Sequence, residues 1–359
     1  MKRKVAAAAA VSACVLLALA PSNAQAQGPG RDTWTGARTA ALGTGNGVNV
    51  GTVPLTTDLS GGTYFLKDPT RGNTQTIDAV TQQVLTDTDN IWGDDAPAYR
   101  QSAGVDAQFS GVAFWDYFKE RFGRLGIRND GVGVKSAVHY GTNYANAFWD
   151  DTCFCVYYGD GSGGLNHPVS LDIAGHELAH GLTSFTAGLV HSGESGSLNE
   201  STSDVFGTMV EWYANIPADV PDYTIGEMFQ PSGDLRWMDR PSRDGVSPDC
   251  WSSAVGGMDV HYGSGVGDHF FYLLAEGSGA KTINGVDYNS PTCNGSTLTG
   301  IGRDKAAAIW YRALTTYLTP TSNYRAMRTG TLAAAADLYG SGSPEHTRVA
   351  AAWSAVNVT

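Results

Sequence analysis

Residues 176 to 180 read His-Glu-Leu-Ala-His, and no other run restricts the fold of this chain as sharply. On a helix, side chains four apart leave from one face, one turn apart, so His176 and His180 present two imidazoles to one point. Two neutral imidazoles at that spacing hold a zinc ion. Glu177, beside the first of them, places a carboxylate within reach of a water at the same metal. The run also fits a surface helix with two solvated histidines and a solvated glutamate. The decision therefore falls to the rest of the chain.

Catalytic zinc takes three protein ligands and leaves one position for water. The next helical stretch opens Gly196-Ser197-Leu198-Asn199-Glu200-Ser201-Thr202-Ser203-Asp204. Twenty residues separate His180 from Glu200, enough for a turn and an antiparallel return. Glu200 and Asp204 again share a helix face. They suit a third ligand with a carboxylate hydrogen-bonded behind a ligating imidazole. They equally suit two acids favoured by a helix N-terminus.

The chain begins Met1-Lys2-Arg3-Lys4, runs apolar from Val5 to Ala20, and carries the small-residue site Ala24-Gln25-Ala26. This is the pattern of a secretory signal peptide over residues 1–26, too short for a membrane anchor. Cleavage would remove three cations and take the formal charge from -12 to -15. Such an acidic chain does not seek nucleic acid or an anionic membrane. Its many carboxylates suit calcium, which takes oxygen ligands. Outside the signal stand Cys153, Cys155, Cys250 and Cys293, an even count in an oxidising compartment. Of three possible pairings, Cys250 with Cys293 is favoured. Cys153 and Cys155 then form either a tight ring or two free buried thiols.

The first half is rich in Gly, Thr, Val and Tyr with frequent turn signals, and strands are expected at 63–66 and 134–140. One helix is expected over 105–122, from the spacing of Val112, Phe114, Trp115 and Phe118. After a glycine loop at 159–164 come helices at 170–184 and 197–215. Further helices are expected at 266–276, 302–318, 324–338 and 344–356. The expected fold is α+β: a β-rich N-terminal lobe over 27–180 ending in the motif helix, and a mainly helical C-terminal lobe over 181–359. The motif helix would lie at the base of the cleft between them.

The chain resembles the thermolysin-like family of secreted neutral zinc metalloproteases from about residue 45 to 358. The resemblance runs through Thr63 to Gly72, Asn146-Ala147-Phe148-Trp149, the motif helix, Thr186-Ala187-Gly188-Leu189-Val190, Asn199 to Asp204, and Asp259-Val260-His261. It implies that His176, His180 and Glu200 bind one catalytic zinc, and that Asp204 and Asn199 support the ligands. Glu177 would act as general base on the zinc-bound water and pass its proton to the leaving nitrogen. His261, oriented by Asp259, would donate to the oxyanion. Arg236 would grip a substrate carbonyl, and Asn146 with the main chain of Ala147 would pair with extended substrate. Two or three structural calcium ions are implied. A paired site would use Asp172, Glu211, Asp222, Glu227 and the Thr224 carbonyl, and a further loop Asp87, Asp89 and the Ile91 carbonyl.

Three departures stand out. His191 occupies the position of a tyrosine that helps hold the oxyanion, which makes the donor sensitive to pH. The segment 227–236 is short, so a fourth calcium loop is not expected there, although Asp234 remains. Only residues 27–31 stand where relatives carry a long pro-segment. The expected function is a secreted monomeric zinc endopeptidase acting on protein or peptide substrates, on the amino side of large apolar residues. Ile173, Ile225 and Leu235 would wall the pocket for that residue. The alternatives are a peptidase of narrow range, set by the loops around 229–234, and a metal-stabilised secreted binding protein without catalysis.

Overall fold

A computed structural model describes residues 39–97, 99–162, 167–229 and 235–359. The expected signal peptide, residues 27–31 and Asp234 lie outside the described residues. Antiparallel strands β1 (Thr39–Asn46) and β2 (Thr52–Ser60) run in register from Thr39 opposite Leu59 to Asn46 opposite Thr52. In β2 the side chains of Val53, Leu55 and Thr57 are buried and those between them are not, the period of two that a half-buried strand requires. Short strands follow: β3 (Thr63–Phe65), β4 (Lys67–Asp68), β5 (Thr74–Asp78), β6 (Thr86–Asp87) and β7 (Ile91–Trp92). Helix α1 (Arg100–Phe122) precedes β8 (Lys135–Tyr140), β9 (Ala147–Asp150) and β10 (Cys155–Gly159). One sheet has the order β6-β3-β2-β1-β7 and the other β4-β5-β8-β10-β9.

Helix α1 begins five residues before the expected start. Its first turns bury Ser102, Ala103 and Gly104, small residues that give no apolar period to read. It ends where Gly123, at φ 66°, takes the left-handed conformation that closes a helix. In the second sheet β5, β8 and β10 are parallel neighbours, and β9 runs antiparallel to β10 at the edge.

Helix α2 (Leu171–Ser184) carries the His-Glu-Leu-Ala-His run, and α3 (Gly193–Ala214) returns beside it. Two glycines bring these helices together. A Cβ on Gly175 would lie 2.8 Å from the Cα of Gly207, and one on Gly207 only 2.3 Å from the Asp172 carbonyl oxygen. Real Cβ atoms do not approach so closely, and the helices touch backbone to backbone.

Beyond α3 lie β11 (Thr224–Ile225) and β12 (Arg236–Trp237), then α4 (Val260–Gly263) and α5 (Gly265–Ala275). A hairpin of β13 (Gly279–Ile283) and β14 (Val286–Ser290) interrupts the expected run of helices. Its turn is Asn284-Gly285, both at positive φ, the combination a two-residue hairpin turn favours. Helices α6 (Arg303–Thr316), α7 (Tyr324–Tyr339) and α8 (Pro344–Ala355) complete the chain within two residues of their expected bounds. Phe270 of α5 stacks on Trp353 of α8 at 3.6 Å, and Trp310 of α6 donates to Thr202 of α3. The fold is α+β, with strands gathered in the first half and helices in the second. Disulfides join Cys250 to Cys293 and Cys153 to Cys155. No helix among the described residues is long and apolar enough to cross a membrane.

Candidate active site

Helix geometry brings the two motif imidazoles together as the spacing requires. The Nε2 atoms of His176 and His180 lie 3.1 Å apart. Glu200 approaches from α3, with Oε2 3.4 Å from His176 Nε2 and Oε1 3.6 Å from His180 Nε2. One ligand atom from each of the three residues falls within 4.8 Å of the other two.

The far side of each imidazole is held. Asp204 Oδ1 lies 2.7 Å from His176 Nδ1, and Asn199 Oδ1 lies 2.8 Å from His180 Nδ1. Ser203 Oγ adds a contact of 3.1 Å to His180 Nδ1, which spacing alone does not reveal. A carboxylate and an amide oxygen accept, so both Nδ1 atoms carry hydrogen, and in the neutral rings that a metal requires each Nε2 lone pair faces inward. Glu200 Oε2 is buried without a hydrogen-bond partner. Two inward lone pairs, an orphaned carboxylate oxygen and ordered outer hydrogen bonds are the donor set that zinc fits.

Burial disfavours charge here, but the partners outweigh it. Imidazoles of His180, His176 and His191 hold Glu200 well below the usual carboxylate range. Arg236 and His176 hold Asp204 at about 2, and Asp204 with Glu200 pushes His176 up to about 10. The Arg236 guanidinium grips Asp204 through two hydrogen bonds, Nε to Oδ2 at 2.7 Å and Nη2 to Oδ1 at 2.6 Å.

Glu177 lines the same cleft, which has a volume of about 440 Å³. His191 enters from the α2–α3 connection, with Nε2 2.5 Å from Glu200 Oε1. His261 lies beside it, the two rings 6.0 Å apart, with Nε2 3.7 Å from Glu200 Oε2 and Nδ1 2.8 Å from Asp259 Oδ1. Asn146, Ala147, Ile173, Ile225, Leu235 and Arg236 all face this cleft. Ala147 opens β9, whose outer edge pairs with no strand among the described residues. The Asn146 carbonyl accepts from Gly159 and fixes the start of that edge.

At the opposite end of the same helix pair, acids gather without cations. Glu211, Asp219 and Glu227 bring carboxylate oxygens within 4.8 Å of one another. Both Glu211 oxygens and Glu227 Oε1 are buried and unpartnered. Asp172 and Asp222 also act on this group: burial, then the neighbouring acids, push Glu211 well up and Glu227 to about 10. Asp222 Oδ1 accepts from the Thr224 amide at 2.6 Å, and Asp172 Oδ2 from the Gly226 amide at 2.5 Å. Such a set needs a hard cation to share, and calcium fits it. Asp219, pushed up to about 7 by burial and Asp172, is a further member that no motif marks. Its only signal is one more acid in the loop that already holds Asp222. Asp87 and Asp89 are different. Asp87 Oδ1 accepts from the Asp89 and Asn90 amides, and Asp89 Oδ1 from the Ile91 amide. Among the described residues no third acid, histidine or cysteine joins them in a cluster.

Residues 42–184 match the thermolysin metallopeptidase catalytic domain, and residues 187–358 match the thermolysin metallopeptidase α-helical domain. A transglutaminase-activating metalloprotease of Streptomyces mobaraensis is 50% identical over 325 residues, covering 88% of this chain and 42% of that protein. Bacillolysin of Bacillus cereus is 41% identical over 334 residues, covering 89% of this chain and 55% of that protein. The solved precursor of protealysin, a metalloproteinase from Serratia proteamaculans, superposes with a TM-score of 0.60 at 26% identity, covering 80% of this chain and 87% of that one. The chain spans about half the length of the curated relatives it matches.

Proposed function

The chain belongs to the thermolysin-like family of metallopeptidases, and on that premise we propose that it is a secreted zinc endopeptidase cutting on the amino side of large apolar residues. The observation that carries this reading is the convergence of His176, His180 and Glu200 in one cleft with Glu177 and His261. His176, His180 and Glu200 would hold the zinc. When bound, it supplies Lewis-acid activation of water and of the peptide carbonyl.

The chain's own groups do the rest. Glu177 accepts a proton from the attacking water and returns it to the leaving nitrogen. His261, held through Nδ1 by Asp259, donates from Nε2 to the carbonyl oxygen as it gains negative charge. His191, on the same side of Glu200, is the second donor. Extended substrate adds to the open edge of β9 at Asn146 and Ala147, as peptides add to exposed strands elsewhere. Arg236, fixed by Asp204, binds a substrate carbonyl. Ile173, Ile225 and Leu235 give the neighbouring pocket an apolar wall, which supports preference for a large apolar side chain.

Calcium would occupy the group of Asp172, Glu211, Asp219, Asp222 and Glu227, with the Thr224 carbonyl as a further oxygen. Two or three ions per chain remain our reading if the Asp87–Asp89 turn also takes one. Secretion rests on the N-terminal signal pattern and its small-residue cleavage site. Action as a monomer on proteins or peptides is part of the same proposal.

The test is direct. The secreted protein is purified, its zinc and calcium are counted, and casein and a peptide library are digested with and without a zinc chelator. Hydrolysis that stops with chelation, returns with zinc and maps to the amino side of Leu, Ile or Phe is the expected result. A folded, zinc-loaded protein that leaves both substrates intact would end the reading.

A further inference from the structure

A second convergence of metal-type ligands lies away from the cleft lining. His139 sits near the end of β8, and Asp160 directly follows β10, the parallel neighbour of β8. His167 stands in the segment that leads into α2. One ligand atom from each falls within 4.8 Å of the others.

Tautomers follow from the backbone around the rings. His139 Nε2 lies 2.8 Å from the Arg100 carbonyl oxygen, and His167 Nε2 lies 3.1 Å from that of Pro97. Carbonyl oxygens only accept, so both Nε2 atoms carry hydrogen. In neutral rings both Nδ1 atoms then hold lone pairs. Those two atoms face the same oxygen, Asp160 Oδ1, at 2.5 Å and 3.5 Å. Unless a proton or a metal ion is added, these are three acceptors with no donor between them. A proton shared by His139 and Asp160 would satisfy that pair alone. His167 Nδ1 would still be buried without a partner, in a residue only 4% exposed. Such a group is costly unless something fills the gap.

The backbone bends to make this meeting. His139 adopts φ 69°, uncommon for a residue in a strand, and the β10–β8 register shifts between Tyr157 and Gly159. A bulge of this kind re-aims a side chain. The outer hydrogen bonds to backbone carbonyls are those that orient a metal-bound imidazole.

We propose that His139, Asp160 and His167 form a second metal site, filled by zinc or a similar first-row divalent ion and structural in role. Two nitrogens and one oxygen suit such an ion and not calcium or magnesium, which prefer oxygen throughout. Asp160 is partly exposed and leaves the fourth position to water. The ion clamps β8, β10 and the entry to α2 together, and so braces the catalytic helix from its approach. This site does not depend on the peptidase reading.

Metal counting on the full secreted protein tests it. The protein is equilibrated with excess zinc, desalted and measured by elemental mass spectrometry, beside His167→Ala and Asp160→Asn. Wild type is expected to hold one zinc more than either variant, while His167→Ala keeps its peptidase activity. Added zinc should raise Tm further in wild type after activity has saturated, and not in the variants. Should His167→Ala fail to fold, Asp160→Asn, on the exposed side, carries the comparison. Equal zinc in all three proteins would overturn the site, whether the count is one or higher. A surplus zinc that persists in both variants belongs at the cleft instead.

Discussion

Glu200 and Asp204, toward one end of the α2–α3 pair, face imidazoles and a guanidinium; Asp172 and Glu211, toward the other, face Asp219, Asp222 and Glu227. All four carboxylates are buried on the same two helices. Yet Asp204 is held at about 2, whereas Glu227, across from Glu211, is pushed up to about 10. Burial opposes charge at both ends, so burial does not decide the outcome; the partners do. The first end is an electrostatically complete frame that awaits a metal for chemistry. The second gathers acids with no cation facing them, and under the calcium reading proposed above an ion completes it.

Substitutions can break this contrast. The largest effect belongs to Glu177→Gln, which should lower kcat by roughly 10²–10⁴-fold, the worth of a general acid–base group. Zinc content and Tm should hold, because Glu177 belongs to neither frame. A loss of zinc together with activity would show that it does. Next is Asp204→Asn, which removes the partner of Arg236 and His176. Leaving that partly buried guanidinium half-paired should cost about 3 kcal/mol in denaturant unfolding, and zinc affinity should fall about 10–100-fold.

Smaller still is His191→Phe. Loss of one oxyanion donor should lower kcat on the order of 10²-fold with KM little changed. His191→Tyr should recover most of the rate and alter the pH–rate profile, since a phenol stays a neutral donor where imidazole titrates. An unaltered profile would remove His191 from the reacting centre. Glu211→Gln is the smallest and has the opposite sign to Asp204→Asn. In a calcium chelator it should stabilise by roughly 1 kcal/mol, a rise of about 2–4 °C in Tm, by relieving repulsion among acids. In calcium it should be less stable than wild type. If Glu211→Gln and Asp204→Asn shift Tm in the same direction under chelation, the contrast between the two ends is wrong.

How far all this could be read from sequence differed by feature. His176, Glu177 and His180 are local, so helical period alone places them. Glu200 needed only a return helix, and family resemblance supplied His261 and Arg236, which spacing would have left as a loop histidine and a surface cation. Asp219 was not legible because its meaning depends on how a loop folds under α3. The cluster of His139, Asp160 and His167 was hidden for the same reason: three elements and a bulge bring it together. The β13–β14 hairpin lies between the expected helices at 266–276 and 302–318, in a stretch whose Gly and Ser content reads only as a connection, although Asn284-Gly285 is a strong turn signal. Helix α1 started early because its first turn buries small residues, which carry no period.

The glycine contact between α2 and α3 sets a mechanical tolerance for both ends. A Cβ on Gly207 would fall within 3.0 Å of the His176 amide nitrogen as well as against the Asp172 carbonyl. Relieving that clash means separating the helices by a sizeable fraction of an ångström. Zinc accepts ligand distances only within about 0.2 Å of their ideal values. The two proposed ion sites thus share one spacer, the thickness of two glycines. A change there would detune the chemistry at one end and the cation cradle at the other in a single step, with no ligand altered.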